Sequence, residues 1–286
     1  MSYMLGKQHL FVTWIFLLGF LSIIVFSYFN SNKITSLSSA LLILFNVLKT
    51  NYLLLLLFSV GVMLSATAPD IDISSNVRGF PIWNKITRVS YLVLTKIMKP
   101  FFPADSFSHR HLYHSVFGLV IYGVIIFILS FSMSFCYVMA TTLFVHKTLT
   151  FELFFTALSL LMSYSLYFFT FVIGCSVGFF SHLLEDTITV SGINYLPFIT
   201  KYRLAGKFIT CGKQGYKNMN TGKTTKVPFY KRSSMGATLL SVYGLVFLVM
   251  FFYFSIYLSS FLLASLLFLL GFFVFSVIFC GLRIKK

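Results

Sequence analysis

The sequence is short of acid. Six Asp and Glu stand against 22 Lys and Arg in 286 residues, and only 10% of the chain is charged while 58% is hydrophobic. Soluble globular chains carry about 25% charged residues. Polar surface this sparse cannot coat a water-soluble fold of this size, and apolar content this high excludes a disordered chain. Cysteine is scarce as well. Cys136, Cys175, Cys211 and Cys280 form no C-x-x-C pair, which removes a zinc ribbon and a disulfide framework from consideration. The first apolar run, Leu10–Phe29, is longer than a usual signal core and no A-x-A site follows it, so it reads as a retained span. Between Ser233 and Leu282, 50 residues pass without a single Asp, Glu, Lys, Arg or His.

What remains is a set of long apolar runs, each near the roughly 20 residues that a spanning helix needs. Leu10–Phe29, Tyr52–Ala68, Val116–Val138 and a stretch within Leu158–Leu184 each suit one crossing. Ser233–Leu282 suits two, turning at Ser259-Ser260. Ser38–Leu48 and Met139–Thr156 are read as helix extensions or re-entrant pieces. The expected architecture is all-α: a polytopic membrane helical bundle of about six transmembrane helices. The whole chain, 1–286, forms one membrane-embedded domain with a loop at 73–110, a basic loop at 187–234 and a C-terminal hairpin at 235–286. Summing Lys and Arg over alternate loops puts 19 on one side and three on the other. The positive-inside rule assigns the rich side to the cytoplasm, giving N-in and C-in. The same rule explains the basic excess as cytoplasmic loops near anionic headgroups, so no nucleic acid is expected as a partner and membrane lipids are. Within 82–99, Ile82, Trp83, Ile86, Val89, Val93 and Ile97 share a helical face beside a stripe of Lys85, Arg88, Lys96 and Lys99, the composition of an interfacial helix anchored by Trp83. Glycines and basic residues in the 192–234 stretch suggest a hairpin or flap.

Because acids and histidines are few, their positions carry information. His9 opens the first span. Asp70 and Asp72 close the second in APDID, His109, His111 and His114 open the third in SHRHLYHS, and His182, Glu185 and Asp186 close the fourth in SHLLED. In the topology above all four places lie at cytoplasmic helix ends, so the clusters share one face and can meet. His182 and Asp186, four apart on a helix, project to one side as an imidazole and a carboxylate suited to one metal. An extended Asp70-x-Asp72 beside Pro69 can give one carboxylate to an ion and the other to a second ion or to a histidine behind it. His109 and His114 converge only if one precedes the helix, and Arg110 between them can grip an anionic oxygen in its fork. Glu185 projects about 100° away from Asp186 and reads as a surface charge, as do Asp105 and Glu152. His111 reads as a rim residue and His146 as lying on the opposite side. Ionisable groups at membrane depth are functional by default. The ensemble points to one or two divalent ions, zinc first with manganese or iron as alternatives, held by His9, Asp70, His109, His114, His182 and Asp186, with Asp72 as ligand or general base.

In order and spacing, His9, Pro69-Asp70-Ile71-Asp72, His109-Arg110 with His114-Ser115, and Ser181-His182 with Asp186, Thr189 and Gly192, followed by Pro197, resemble the YdjM-type family. Its members are LexA-regulated inner-membrane proteins classed by prediction as metal-dependent hydrolases. The resemblance implies a metal-dependent hydrolase of the inner membrane, with Asp72 and Arg110 in catalytic roles and Ser115, Ser181 and Thr189 supporting the ligands. Position and charge suggest an anionic lipid phosphoester as substrate. A divalent-cation (zinc) transporter is the alternative, since six spans and an H-x-x-x-D pair fit one too. A transporter, however, keeps its ligands near the midplane.

Overall fold

The computed structural model describes residues 9–19, 21, 37–72, 81–101, 113–146, 151–197, 199–209, 216–217, 224–254 and 261–285. Helices dominate: α1 (His9–Gly19), α2 (Leu37–Ser65), α3 (Pro81–Met98), α4 (Val116–His146), α5 (Phe151–Ser163), α6 (Ser165–Thr187), α7 (Ser233–Phe254) and α8 (Phe261–Cys280). The protein is an all-α polytopic membrane bundle. Among the described residues, Phe45–Asp70, Val116–Val145 and Ser165–Thr187 are long and apolar enough to cross a bilayer, and four shorter apolar helices accompany them.

The second helix starts at Leu37, well before Tyr52. Lys49, Thr50 and Asn51 interrupt the apolar run, but Thr50 Oγ1 donates to the Asn46 carbonyl at 2.7 Å and Asn51 Nδ2 to the Val47 carbonyl at 3.3 Å. These polar side chains are thus satisfied by the helix itself, and Ser38–Leu48 is an extension of α2. The helix stops ahead of Pro69, whose ring disfavours helical backbone at the residue before it, and a 3₁₀ turn (Ala68–Asp72) follows. Met139–Thr156 divides between the end of α4 and the start of α5. The turn expected at Ser259-Ser260 lies outside the described residues.

α2 and α6 pack with their backbones in contact. Gly61 lies where an added Cβ would meet the Phe171 carbonyl oxygen at 2.6 Å, and a Cβ at Gly174 or Gly178 would collide with the carbonyls of Phe58 and Val62. Gly174 and Gly178 make the small-xxx-small spacing that lets membrane helices approach this closely. The contact brings the C-terminal ends of α2 and α6 side by side.

Two hydrophobic clusters flank those ends. Val12, Phe16, Leu184, Leu240, Tyr243 and Phe272 join α1, α6, α7 and α8. Tyr91, Tyr113, Tyr122, Ile126, Phe179 and Leu183 join α3, α4 and α6. α3 is built the opposite way from a helix of a soluble protein. Asn84, Thr87 and Tyr91 are buried against the bundle, while Ile82, Val89, Val93 and Ile97 face outward. Trp83 does not share that outward face. It turns inward, edge-on to Phe171 at 5.9 Å between ring centroids.

Beyond α6 the chain folds back over the bundle end. β1 (Arg203–Ala205) pairs antiparallel with β4 (Arg283–Lys285), just after α8, with Leu204 opposite Ile284. The basic stretch forms a small hairpin from β2 (Tyr216–Lys217) and β3 (Thr224–Thr225). Gly192, with φ of +60°, makes the bend that lets Ile193 exchange hydrogen bonds with Leu204, a backbone conformation that glycine adopts without penalty. The Tyr195 carbonyl accepts the Val116 N–H at 3.1 Å, which ties this cover to the first residue of α4.

Candidate metal centre

The start of α1, the end of α2, the start of α4 and the end of α6 meet at one end of the bundle. There His9, Asp70, His114, His182 and Asp186 come together, five of the six residues expected as metal ligands. The sixth, His109, lies outside the described residues with Arg110, His111, Asp105 and the carboxylate of Asp72. His146 ends α4, at the far end of that helix from His114, and Glu152 is exposed in the first turn of α5.

Local structure orients each imidazole. His182 Nδ1 is 2.8 Å from the Ala66 carbonyl. A carbonyl only accepts, so Nδ1 carries the proton and Nε2 is left with its lone pair. That Nε2 is buried and makes no hydrogen bond. It points instead toward Asp70 Oδ1 at 3.7 Å and Asp186 Oδ2 at 3.6 Å. His114 Nε2 lies 3.4 Å and 3.5 Å from the same two oxygens. These separations are too long for good hydrogen bonds. They are close to the ligand-to-ligand separation of about 3.4 Å around a zinc with bonds of about 2.1 Å, and two triads, Asp70-His114-His182 and His9-His182-Asp186, each bring their ligand atoms within 4.8 Å of one another. The donor types therefore fit a divalent cation, which His114, His182, Asp70 and Asp186 would hold. Asp70 is the most open member, its side chain 14% exposed while His114 and His182 are fully buried.

His9 is oriented by a residue that the sequence reading placed at the surface. Glu185 is buried, not solvated, and its Oε2 accepts the His9 Nδ1 proton at 2.6 Å. Thr13 Oγ1 donates to Glu185 Oε1 at 3.3 Å and contacts Ser181 Oγ at 3.0 Å. Glu185 does point away from Asp186, but α1 packs on that side of α6 and the carboxylate meets its partner there. A carboxylate behind a ligating histidine fixes the tautomer and raises ligand basicity, and here it leaves His9 Nε2 facing Asp186 Oδ1 at 4.0 Å. The only sequence signal for Glu185 was its rarity as an acid in this chain.

The three residues expected to support the ligands each bond to backbone groups of their own helix end. Ser115 Oγ accepts the Gly118 N–H at 3.2 Å and caps α4 directly after His114. Ser181 donates to the Gly178 carbonyl and meets Thr13. Thr189 Oγ1 donates to the Asp186 carbonyl at 2.8 Å, closing α6. Tyr195 braces the same turn with its hydroxyl 2.5 Å from Thr187 Oγ1, and burial pushes that phenol up to about 12, so it stays protonated at neutral pH.

Three carboxylates thus converge with three imidazoles in a buried pocket. Buried like charges are costly without a compensating cation, and the His182 Nε2 lone pair faces the Asp70 and Asp186 carboxylates. In comparisons with known proteins, the family described as YdjM inner membrane protein matches residues 16–281, and the chain belongs to that family. No curated protein and no solved structure matches.

Proposed function

We propose that this member of the YdjM inner membrane protein family is a metal-dependent hydrolase whose centre sits at the cytoplasmic membrane face. One observation carries the reading. Each of two imidazole nitrogens stands 3.4 to 3.7 Å from each of two carboxylate oxygens, all brought from three helix ends, with the lone pair of His182 unused. A divalent ion held there would supply Lewis acidity and lower the pKa of its bound water toward about 7. The protein's own residues do the rest. Ala66 and Glu185 hold the His182 and His9 tautomers, Asp70 lies at the opening, and the Ser115 cap fixes the helix start behind His114. Asp72 is assigned as further ligand or general base, and Arg110 as the fork for an anionic substrate oxygen.

Sidedness and substrate class follow from charge. The helix ends that carry the site belong to the basic side of the chain, which the positive-inside rule assigns to the cytoplasm. Arg203, Lys207, Arg283 and Lys285 lie on the β1–β4 cover and just beyond β1. A basic rim at the headgroup level suits an anionic lipid phosphoester. The transporter reading is disfavoured because the ligands gather at helix ends, whereas transporters bind their ions near the bilayer midplane.

The test is metal content by mass spectrometry on detergent-purified protein and on an H182A/D186A double variant, followed by a screen of phosphoester lipids. Bound zinc, manganese or iron that the double variant loses, together with turnover that the double variant loses, supports the proposal. Metal flux into proteoliposomes with no turnover of any lipid would overturn it in favour of transport.

A further inference from the structure

His9 and His182 do not aim at the same point. Their rings are stacked, with centroids 3.9 Å apart and planes only 23° from parallel. An imidazole holds an ion in its own plane, along the nitrogen lone pair, at about 2.0–2.1 Å. Two rings stacked this way cannot share one ion: a point on one lone-pair axis lies roughly 3 Å out of the plane of the other ring. His114 and His182 differ. Their planes stand 61° apart with centroids at 5.6 Å, so the two rings can converge on one ion.

Asp186 is divided in the same manner. Its Oδ2 lies 3.5 Å from His114 Nε2 and 3.6 Å from His182 Nε2, while its Oδ1 faces His9 Nε2 at 4.0 Å. We infer that the site is dinuclear, holding one divalent cation between His114, His182, Asp70 and Asp186 Oδ2 and a second between His9 and Asp186 Oδ1, with Asp186 as the bridge. This rests on the metal reading above and goes further by assigning the number of ions and which residue serves each. A carboxylate bridge and a ring stack both set the ions a few ångströms apart, near the roughly 3.5–4 Å of two-metal hydrolytic centres. The second ion takes fewer protein ligands than the first, and open positions are the mark of a catalytic rather than a structural site.

The unequal ligand sets make the inference testable without knowing the substrate. Full-length protein is purified in detergent, stripped with chelator, reloaded with Mn²⁺ and freed of excess. Metal per chain is counted and the electron paramagnetic resonance spectrum recorded for wild type, H9A and H9Q. Two equivalents with an exchange-coupled spectrum in the wild type, falling to one equivalent with an isolated six-line Mn²⁺ signal in the His9 variants, support the two-ion centre. One uncoupled equivalent in the wild type overturns the inference and leaves a mononuclear metal protein standing. No bound metal in the wild type overturns both the inference and the hydrolase proposal. The wild-type count decides even if the His9 variants do not fold.

Discussion

Removing the charge of Glu185 while keeping its shape should weaken metal binding with little effect on folding. In Glu185→Gln the amide oxygen can still accept the His9 Nδ1 proton that Glu185 Oε2 now takes at 2.6 Å, and Thr13 keeps a partner. What disappears is the negative charge behind the imidazole. Losing such a partner typically lowers metal affinity by about 10- to 100-fold, or about 1.4 to 2.7 kcal/mol at 1.36 kcal/mol per tenfold. Gln belongs near the lower figure because the hydrogen bond survives. Glu185→Ala also strips the acceptor and leaves a buried N–H unsatisfied, which adds a loss of stability of about 1–3 kcal/mol. Affinity is read by competition against a fluorescent chelator, and stability by thermal unfolding of chelator-treated protein in detergent. The expected pattern is weaker binding in both variants and lower apo-protein stability in the Ala variant alone. If both variants bind metal as tightly as the wild type, Glu185 does not act through His9 and the reasoning fails.

Three further outcomes follow. Gly178→Ala places a methyl group against the Val62 carbonyl; overpacking of this kind costs about 1–3 kcal/mol, and prising α2 from α6 should also loosen metal binding, both visible in a melting curve with and without metal. Ser115→Ala removes the cap at Gly118 and should lower stability by about 1 kcal/mol, measured by the same unfolding assay. Chelation should lower the melting temperature of the wild type, because an ion at 100 times its Kd stabilises by about 2.7 kcal/mol, while Asp70→Asn/Asp186→Asn protein should show no chelator-dependent shift.

Local patterns carried most of what was legible in the sequence. The i, i+4 spacing of His182 and Asp186 survives as a 3.6 Å contact between Nε2 and Oδ2, and the scarcity of polar residues picked out the four helix ends that meet. Contacts distant in sequence were not readable. Glu185 and His9 are separated by 176 residues, and no wheel diagram of α6 alone indicates that α1 covers its second face. The length of α2 was hidden for a different reason: Thr50 and Asn51 look like the end of an apolar helix until their side chains are seen bonding to its carbonyls. The ring stack behind the two-ion inference depends on how α1 sits beside α6, which no spacing encodes.

The pairing of β1 with β4 has a consequence for the order of synthesis. Chains leave the ribosome N-terminal end first, at about 5–20 residues per second. Every described residue of the candidate centre, and β1 itself, is therefore made before α7, α8 and β4. Until β4 arrives, β1 lacks its strand partner and the Val190 carbonyl lacks the Lys285 ammonium that reaches it at 2.9 Å. The segment that follows α6 thus reaches its finished pairing only after α8 has been made.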